Sequence, residues 1–291
     1  MVIQTNPATI AIIGGSGLYE MEGLTDVESV DIDTPFGRPS DAITLGTLEG
    51  ARVAFLPRHG QGHRFNPSHI PVQANIYALK TLGVERIISV SAVGSLKEEF
   101  EPQHLVVPNQ LIDRTSNRSN TFFENDMVVH IAFADPFCAH TSHMVVHAAQ
   151  DLGVNVHPGG TMVVMEGPAF STRAESFMYR SWGADLIGMT ALPEAKLARE
   201  AEICYATMAW VTDYDCWRQG GETVTVEMII GNLLKNVAAS KDLLRNLIPR
   251  LNGPRECPCA TALKDAIITP QDRVPAELKR KLAPITGRYL T

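Results

Sequence analysis

Short apolar runs alternate along the chain with longer amphipathic stretches, which is typical of an α/β protein. The apolar runs are rich in β-branched residues and stop at glycine or polar groups, as buried strands do. They predict β-strands over Ala8–Ile13, Ala51–Pro57, Glu85–Ser91, Thr161–Met165, Ala184–Met189 and Ile203–Val211.

Helices are predicted between these strands from apolar spacing and from end signals. One covers Pro71–Leu82, since proline suits a first helical position and Gly83 can adopt the left-handed conformation that ends a helix. Thr172 and Glu175, three residues apart, form a capping box at the start of another, which Gly183 ends.

A long helix is predicted over Val226–Leu247, after a further helix that opens at Pro193. Its apolar stripe comprises Val226, Ile229, Ile230, Leu233, Leu234 and Val237. After Asn252-Gly253-Pro254 the chain becomes proline-rich and charged. We therefore expect one domain over residues 1–254. Residues 255–291 would be an extension that packs on the main body or on a neighbouring subunit.

Five of the predicted segments end in glycine-rich or polar groups. In open α/β sheets, ligands bind beyond the carboxyl ends of the strands, so we expect these groups to converge on one site. The groups are Gly14–Gly17, Arg58-His59, Ser91-Ala92, Met189-Thr190 and Asp213–Asp215.

The overall composition is that of an ordinary soluble protein with a sizeable core. The 291 residues are 45% hydrophobic and 20% charged, and the net charge of −7 argues against nucleic acid or an anionic membrane as the main partner. No apolar run approaches the roughly 18 residues of a membrane span. No Lys or Arg precedes Arg38, so the basic region of a secretory signal is missing and we expect a cytoplasmic protein.

Five cysteines predict no metal site from their spacing. Cys138, Cys204 and Cys216 are scattered, which favours small core-filling side chains. Cys257 and Cys259 form a Cys-Pro-Cys pair, without the second Cys or His cluster that a zinc site requires.

Several of the strand ends carry groups suited to an oxyanion. The turn Gly14–Gly17 can point backbone N–H groups inward, although a plain tight turn fits the same letters. The Arg58 guanidinium matches a phosphate with its planar fork, and His59 is a further donor, unless both lie on an exposed basic loop. The side chains expected at a phosphate-sized site are those of Ser16, Arg58, His59, Ser91 and Thr190.

Asp213 and Asp215 are two positions apart at the end of a buried strand, so they would share a face and Tyr214 would point away. Three interpretations are open. The pair could hold a divalent cation, or act as turn caps for the Gly220-Gly221 loop. It could also recognise adenine, whose N7 accepts and whose N6 donates, because close carboxyl groups disfavour double ionisation and can share a proton.

Long segments of the chain resemble the trimeric purine nucleoside phosphorylase family, from about Ile10 to Pro249. They are IIGGSGL, DTPFGRPSDAITLG, RHGQGH, QANIYALKTLG, SAVGSL, MVVMEGPAFSTRAESFMYRSWGADLIGMT and ICYATMAWVTDYDCW. The last is typical of the adenine-specific branch, whereas oxopurine-specific relatives carry Asn at the position of Asp213. The resemblance implies a single-domain α/β fold with a central mixed β-sheet flanked by helices.

The same resemblance implies an activity, the reversible phosphorolysis of S-methyl-5′-thioadenosine to adenine and 5-methylthio-α-D-ribose 1-phosphate in methionine and purine salvage. Inorganic phosphate would be the co-substrate, with no cofactor and no metal, and the enzyme would be a homotrimer or a hexamer. The alternative is a phosphorylase for inosine and guanosine, or for methylthioinosine. The Cys-Pro-Cys pair resembles one that some relatives use in disulfides.

Site residues follow from the same resemblance. Phosphate would bind at Ser16, Arg58, His59, Ser91, Ala92 and Thr190. The nucleoside would contact Phe170, Met189, Asp213, Tyr214 and Asp215, with Asp213 and Asp215 as the catalytic pair. Ser171 and Val226 fall at positions that govern substrate choice, and His63 and His130 are candidates to approach the site from the same or a neighbouring subunit.

Overall fold

The computed structural model describes residues 7–15, 18, 21–218 and 226–290. Within these ranges one mixed sheet is flanked by helices. The strands are β1 (Ile10–Gly14), β2 (Thr25–Val30), β3 (Ile43–Leu48), β4 (Ala51–Pro57), β5 (Arg86–Ser95), β6 (Leu105–Val107), β7 (Gln110–Arg114), β8 (Val156–Pro158), β9 (Thr161–Met165), β10 (Leu186–Gly188) and β11 (Cys204–Asp213). The helices are α1 (Val72–Thr81), α2 (Ala139–Asp151), α3 (Arg173–Ser181), α4 (Ala191–Glu200), α5 (Val226–Leu251), α6 (Ala276–Lys281) and α7 (Ala283–Thr286).

The sheet runs in the order β2-β3-β4-β1-β5-β10-β9-β7. Off this path, β11 pairs with β5 and β6, and β8 pairs with β6. Strand β1 is parallel to both β4 and β5, and β11 is parallel to β5. The pairs β3–β4 and β5–β10 are antiparallel. The prediction of an α/β fold with a central mixed sheet is therefore confirmed.

Two apolar layers cover the two faces of the sheet, which follows from the alternation of side chains along a strand. In β1, Ile13 joins a buried cluster with Ile76 of α1 and other residues. Its neighbour Ile12 joins the opposite cluster, with Val145 of α2 and Leu244 of α5. Both faces of β1 are thus buried, as expected for a central strand between helices.

Local signals predicted several elements well. Strands β4 and β9 have the predicted bounds, and the capping box of Thr172 and Glu175 is present at the start of α3. Strand β5 continues past the predicted end at Ser91, because β10 and β11 keep pairing with it as far as Ser95. Ser91 therefore lies within a strand and not at its end.

The predicted apolar stripe of α5 is wrong in part. Leu234 is 67% exposed, whereas the polar residues Asn236 and Ser240 are buried. Hydrophobic spacing cannot reveal this, because Asn236 is buried through a hydrogen bond from its amide to the Val211 carbonyl, 3.1 Å away. The side chains of residues 226–230 lie outside the described residues.

The segment after residue 254 packs on the body of the molecule through apolar side chains such as Leu263, Leu282 and Ile285, and through Glu202, a buried carboxylate. Glu202 accepts hydrogen bonds from the Leu263 N–H (3.0 Å) and the Tyr289 hydroxyl (2.6 Å). Arg255 donates to the Glu202 carbonyl at 2.6 Å. A search of the described residues for a helix long and apolar enough to cross a bilayer finds none.

Candidate active site

A cavity of about 640 Å³ lies beside the carboxyl ends of the central strands. Each of the five segments expected to converge contributes to its wall, which confirms that expectation. The predicted groups that line it are Gly15, Arg58, His59, Ser91, Ala92, Met189, Thr190, Asp213 and Asp215. Ser16 and Gly17 lie outside the described residues. The volume suits a ligand of small-molecule size.

Arg58 is the most constrained polar group in this wall, with 2% of its surface exposed. Its guanidinium forms a two-pronged ion pair with Glu194, through Nε–Oε1 at 2.6 Å and Nη2–Oε2 at 3.2 Å. Nη2 also donates to the Ser89 hydroxyl at 2.6 Å, and Nη1 donates to the Val90 carbonyl at 2.9 Å. The Tyr205 hydroxyl completes the network by donating to Glu194 at 2.8 Å.

This network changes the role that can be expected of Arg58. Burial disfavours its charge, but the Glu194 carboxylate more than compensates, so the pKa of Arg58 stays above its ordinary value. The fork predicted to grip an anion is occupied by Glu194. Among the described residues, Nη1 has a single acceptor, which leaves one of its two N–H groups for a ligand.

His59 also differs from expectation. Its Nδ1 lies 2.8 Å from the Phe65 carbonyl, and because a carbonyl only accepts, Nδ1 carries the proton. Burial, with a further contribution from the Arg58 charge, lowers the pKa of His59 to about 4. The ring is therefore neutral at pH 7, and its Nε2 offers a lone pair. In this form Nε2 can accept a hydrogen bond from a ligand, whereas the sequence suggested a donor.

Two hydroxyl groups stand together beside these residues. The oxygens of Ser91 and Thr190 are 3.4 Å apart, although the residues are 99 positions apart in the chain. Arg118 holds the adjoining loop, since Nη1 donates to the carbonyls of Met189 (2.7 Å) and Leu192 (2.8 Å). These hydrogen bonds fix the backbone around Thr190, just after β10.

The aspartates are placed by a bulge in β11. Val211 pairs with Val93 and Asp213 with Gly94, so Thr212 has no partner across the ladder. Asp215 lies in the following turn with a φ of 50°, and its N–H donates to Asp213 Oδ1 at 2.8 Å. The two carboxyl groups both line the cavity, but through this turn and not through strand alternation as predicted.

Gly94 leaves the room that the pair needs. A Cβ at this position would lie 3.2 Å from Asp213 Oδ1, 3.5 Å from the Asp215 Cβ and 2.9 Å from a methyl group of Ile187. A side chain here would clash with the Ile187 methyl group and crowd the Asp213 carboxyl group.

Both carboxyl groups resist ionisation. Burial raises the pKa of Asp213 by more than the hydrogen bonds from the Thr212 hydroxyl and the Asp215 N–H lower it. Burial also raises the pKa of Asp215, and the Asp213 charge raises it further. Such a pair can keep one proton closer to neutral pH than an isolated aspartate can.

Of the other predicted residues, some line the cavity and some do not. Phe170, 65% exposed, and His63 line the cavity. Among the described residues that form its wall, Tyr214 and His130 do not appear. Tyr214 points away, with its hydroxyl donating to the Glu98 carbonyl at 3.1 Å.

The two predicted specificity positions are not among the described residues that line the cavity. Ser171 lies behind the wall, where its hydroxyl is 3.5 Å from the Met165 sulfur. Val226 begins α5, and its side chain lies outside the described residues.

Four residues that support the site are not predicted from the sequence: Glu194, Tyr205, Arg118 and Asn236. Glu194 is separated from Arg58 by 136 positions, so no local pattern links them. The one available signal was a carboxylate directly after Pro193, in the first turn of a helix rich in alanine and leucine.

The profile of the phosphorylase superfamily matches residues 9–249. This match spans well over half of the chain, so the chain belongs to the phosphorylase superfamily. It is 57% identical over 282 residues to the S-methyl-5′-thioadenosine phosphorylase of Geobacter sulfurreducens, with 97% of this chain and 99% of that protein covered.

Solved structures agree with this assignment. A methylthioadenosine phosphorylase from an antarctic soil metagenomic library is 49% identical and superposes with a TM-score of 0.92, over 96% of this chain and 99% of the other. The methylthioadenosine phosphorylase of Schistosoma mansoni in complex with adenine is 35% identical, with a TM-score of 0.82 over 91% of this chain and 99% of the other. The fold of this chain is therefore that of the nucleoside phosphorylases.

The Arg58–Glu194 network generates a stability prediction. Arg58→Lys keeps the charge but cannot reproduce the two-pronged contact and the bonds to Ser89 and Val90. We expect the free energy of unfolding to fall by on the order of 2 kcal/mol. Urea denaturation followed by circular dichroism would measure this loss.

Arg64→Lys is the matched control, because Arg64 also lines the cavity but its side chain is 57% exposed. Its effect should stay within about 0.5 kcal/mol. Equal losses in the two variants would contradict a special role for the Arg58–Glu194 pair.

Proposed function

We propose that this protein catalyses the reversible phosphorolysis of S-methyl-5′-thioadenosine, which gives adenine and 5-methylthio-α-D-ribose 1-phosphate and serves methionine and purine salvage. It is a phosphorylase of the pentosyltransferase type. The relatives that bear this name match it over nearly their whole length. Inorganic phosphate is the co-substrate, and the chemical step uses no cofactor. The cytoplasm is the proposed location, and cell fractionation would test it.

The observation that carries the proposal is the pair of carboxyl groups in the cavity with raised pKa values. A protonated carboxyl donates to N7 of adenine, and a carboxylate accepts from its N6 amino group. A 6-oxopurine presents acceptors at both positions, so an ionised oxygen there would face another lone pair. The pair therefore favours adenine as the base.

Phosphate would bind at the opposite side of the cavity, near Arg58, His59 and the Ser91–Thr190 hydroxyl pair. The hydroxyl groups and the free N–H of Arg58 donate to phosphate oxygens. His59, neutral and with Nε2 unprotonated, accepts from a P–OH group. A protonated form of phosphate suits this arrangement better than the fully ionised one.

The apolar part of the cavity would take the 5′ end of the nucleoside. Leu233 and Val237 of α5 line it, together with Trp210. An apolar surface favours a methylthio group over a hydroxyl, and packing of this kind discriminates by about 10–200-fold.

Cleavage then follows from the placement of these groups. A phosphate oxygen attacks C1′ of the ribose while the bond from C1′ to N9 of adenine breaks, through a state in which the sugar is cationic and the base anionic. The bound phosphate stabilises the cation and is already positioned as the nucleophile. Asp213 delivers its proton to N7 as charge develops on the base, and such a transfer is worth about 10²–10⁴ in rate. Asp215 accepts from N6 and orients the base.

The proposal includes a homotrimer. Phe170 at the edge of the cavity is 65% exposed. Phe177 on α3 and Trp182 at the end of α3 are exposed as well. A group of exposed large apolar side chains is typical of a surface that another protein covers. A neighbouring copy that covers this region would bury them and close the cavity. Light scattering should give a mass of about three chains, or of about six chains if two trimers associate. The mass of a single chain would contradict the proposal.

The reaction can be tested by its need for phosphate. With S-methyl-5′-thioadenosine as substrate, adenine release should depend on added phosphate and yield a sugar 1-phosphate. Unchanged release in phosphate-free buffer would indicate a hydrolase instead. Good turnover of inosine without turnover of methylthioadenosine would favour the oxopurine alternative.

Asp213→Asn tests the adenine interaction. An asparagine amide donates to N7 or O6 but cannot lose a proton, so activity on adenine nucleosides should fall by about 10²-fold or more while preference shifts toward 6-oxopurines. The ratio of kcat/KM for methylthioadenosine and inosine measures this shift. An equal loss on both substrates would contradict the assignment.

The dependence of kcat/KM on pH is a second test of the role of Asp213. Since Asp213 must be protonated to act, kcat/KM for methylthioadenosine should decline as pH rises through its elevated pKa. This alkaline limb should disappear in Asp213→Asn. Asp242→Asn is the control, because Asp242 is 70% exposed, pairs with Arg245 on α5 and does not line the cavity, so the limb should persist.

A further inference from the structure

Four of the five cysteines gather at the end of the sheet opposite the cavity. The Sγ atoms of Cys138, Cys204, Cys257 and Cys259 all lie within 4.8 Å of one another. Cys204 and Cys257 approach to 3.2 Å, which is far longer than a disulfide bond. Two of the scattered cysteines, Cys138 and Cys204, therefore form one cluster in space with the Cys-Pro-Cys pair.

The arrangement has the size of a tetrahedral metal centre. With zinc–sulfur bonds of about 2.3 Å, the sulfur atoms at the corners are about 3.8 Å apart. The four sulfur atoms need only small side-chain movements to reach this spacing from their present separations. Each is close to all three others, which a tetrahedron requires and which two separate disulfides would not.

We propose that Cys138, Cys204, Cys257 and Cys259 form a structural tetrathiolate site that binds one Zn²⁺ ion. All four positions would be filled by protein, leaving none for water, so the site is structural and not catalytic. Four thiolate ligands select a soft or borderline cation over Mg²⁺ or Ca²⁺.

Two of the ligands are held rigidly by the main body. Cys138 caps the 13-residue helix α2, and its N–H donates to the Tyr205 carbonyl at 2.8 Å. Cys204 begins β11, and its N–H donates to the Glu85 carbonyl at 2.9 Å. The amino end of a helix stabilises the negative charge of a thiolate, and the Thr141 hydroxyl also lies 3.3 Å from the Cys138 sulfur.

The other two ligands come from the segment after residue 254, which is fixed just before them. Arg86 donates to the carbonyls of Gly253 (2.8 Å) and Pro254 (3.0 Å), and Arg255 donates to that of Glu202. The ion would thus join the start of α2, the start of β11 and the C-terminal segment.

The site is separate from the active site. Cys204 and Asp213 stand at opposite ends of β11, whose ten residues span about 30 Å at about 3.3 Å per residue. Metal binding can therefore be measured directly, and its outcome does not depend on the proposed reaction.

The test is the zinc content of the wild-type chain, produced without a metal-binding tag in zinc-supplemented medium and dialysed against metal-free buffer. We expect one zinc per chain, and X-ray absorption should show four sulfur neighbours at about 2.3 Å. Removal of zinc by a strong chelator should lower the thermal midpoint. No zinc in the wild-type protein, with fewer than five titratable thiols after unfolding without reductant, would overturn the proposal in favour of disulfides.

Variants locate the ion. Cys257→Ser, at a half-exposed position, should lower zinc affinity at least tenfold. Cys216→Ser is the matched control, because Cys216 lies outside the cluster with its thiol 3.3 Å from the Ser171 carbonyl, and it should keep full zinc content. Full zinc content in Cys257→Ser, or equal loss in both variants, would contradict the site. The wild-type measurement holds even if a variant fails to fold.

Discussion

The buried ion pair between Arg58 and Glu194 is the interaction on which the candidate active site depends. It joins the end of β4 to the first turn of α4, and its remaining hydrogen bonds reach Ser89 and Val90 in β5 and Tyr205 in β11. A buried pair gains little net stability over apolar packing, but losing one partner is costly because the other charge is left unpaired. The pair therefore fixes the relative positions of these elements at the edge of the cavity.

The sequence could predict the fold and the five segments that meet at the cavity, because both rest on local information. An apolar run such as Ala51–Pro57 carries its own strand signal and its own terminal group, so Arg58 could be placed without knowing its neighbours. The roles of the side chains needed tertiary information. Glu194 neutralises Arg58 from a distant part of the chain, and the Phe65 carbonyl decides which nitrogen of His59 carries the proton. The bulge at Thr212 is likewise a property of the pairing between two strands.

The proposed zinc site shows the same limit. Spacing rules search for ligands in two close pairs, whereas Cys138 and Cys204 are single residues brought together by α2 and β11. Both ends of β11 would then be used for chemistry, with metal ligation at Cys204 and base recognition at Asp213. A buried strand in the centre of the sheet is suited to this, because its hydrogen bonds to β5 and β6 leave it little freedom to move.

The charge balance around the cavity has a kinetic consequence. Arg58 is paired with Glu194, Arg64 is paired with Asp41, His59 is neutral, and burial raises the pKa values of both aspartates. The wall therefore projects little field into solvent, on a protein whose net charge is −7. Long-range steering of an anion into the cavity is weak under these conditions. Capture of phosphate would rest on short hydrogen bonds made after arrival, and its rate should change little with ionic strength.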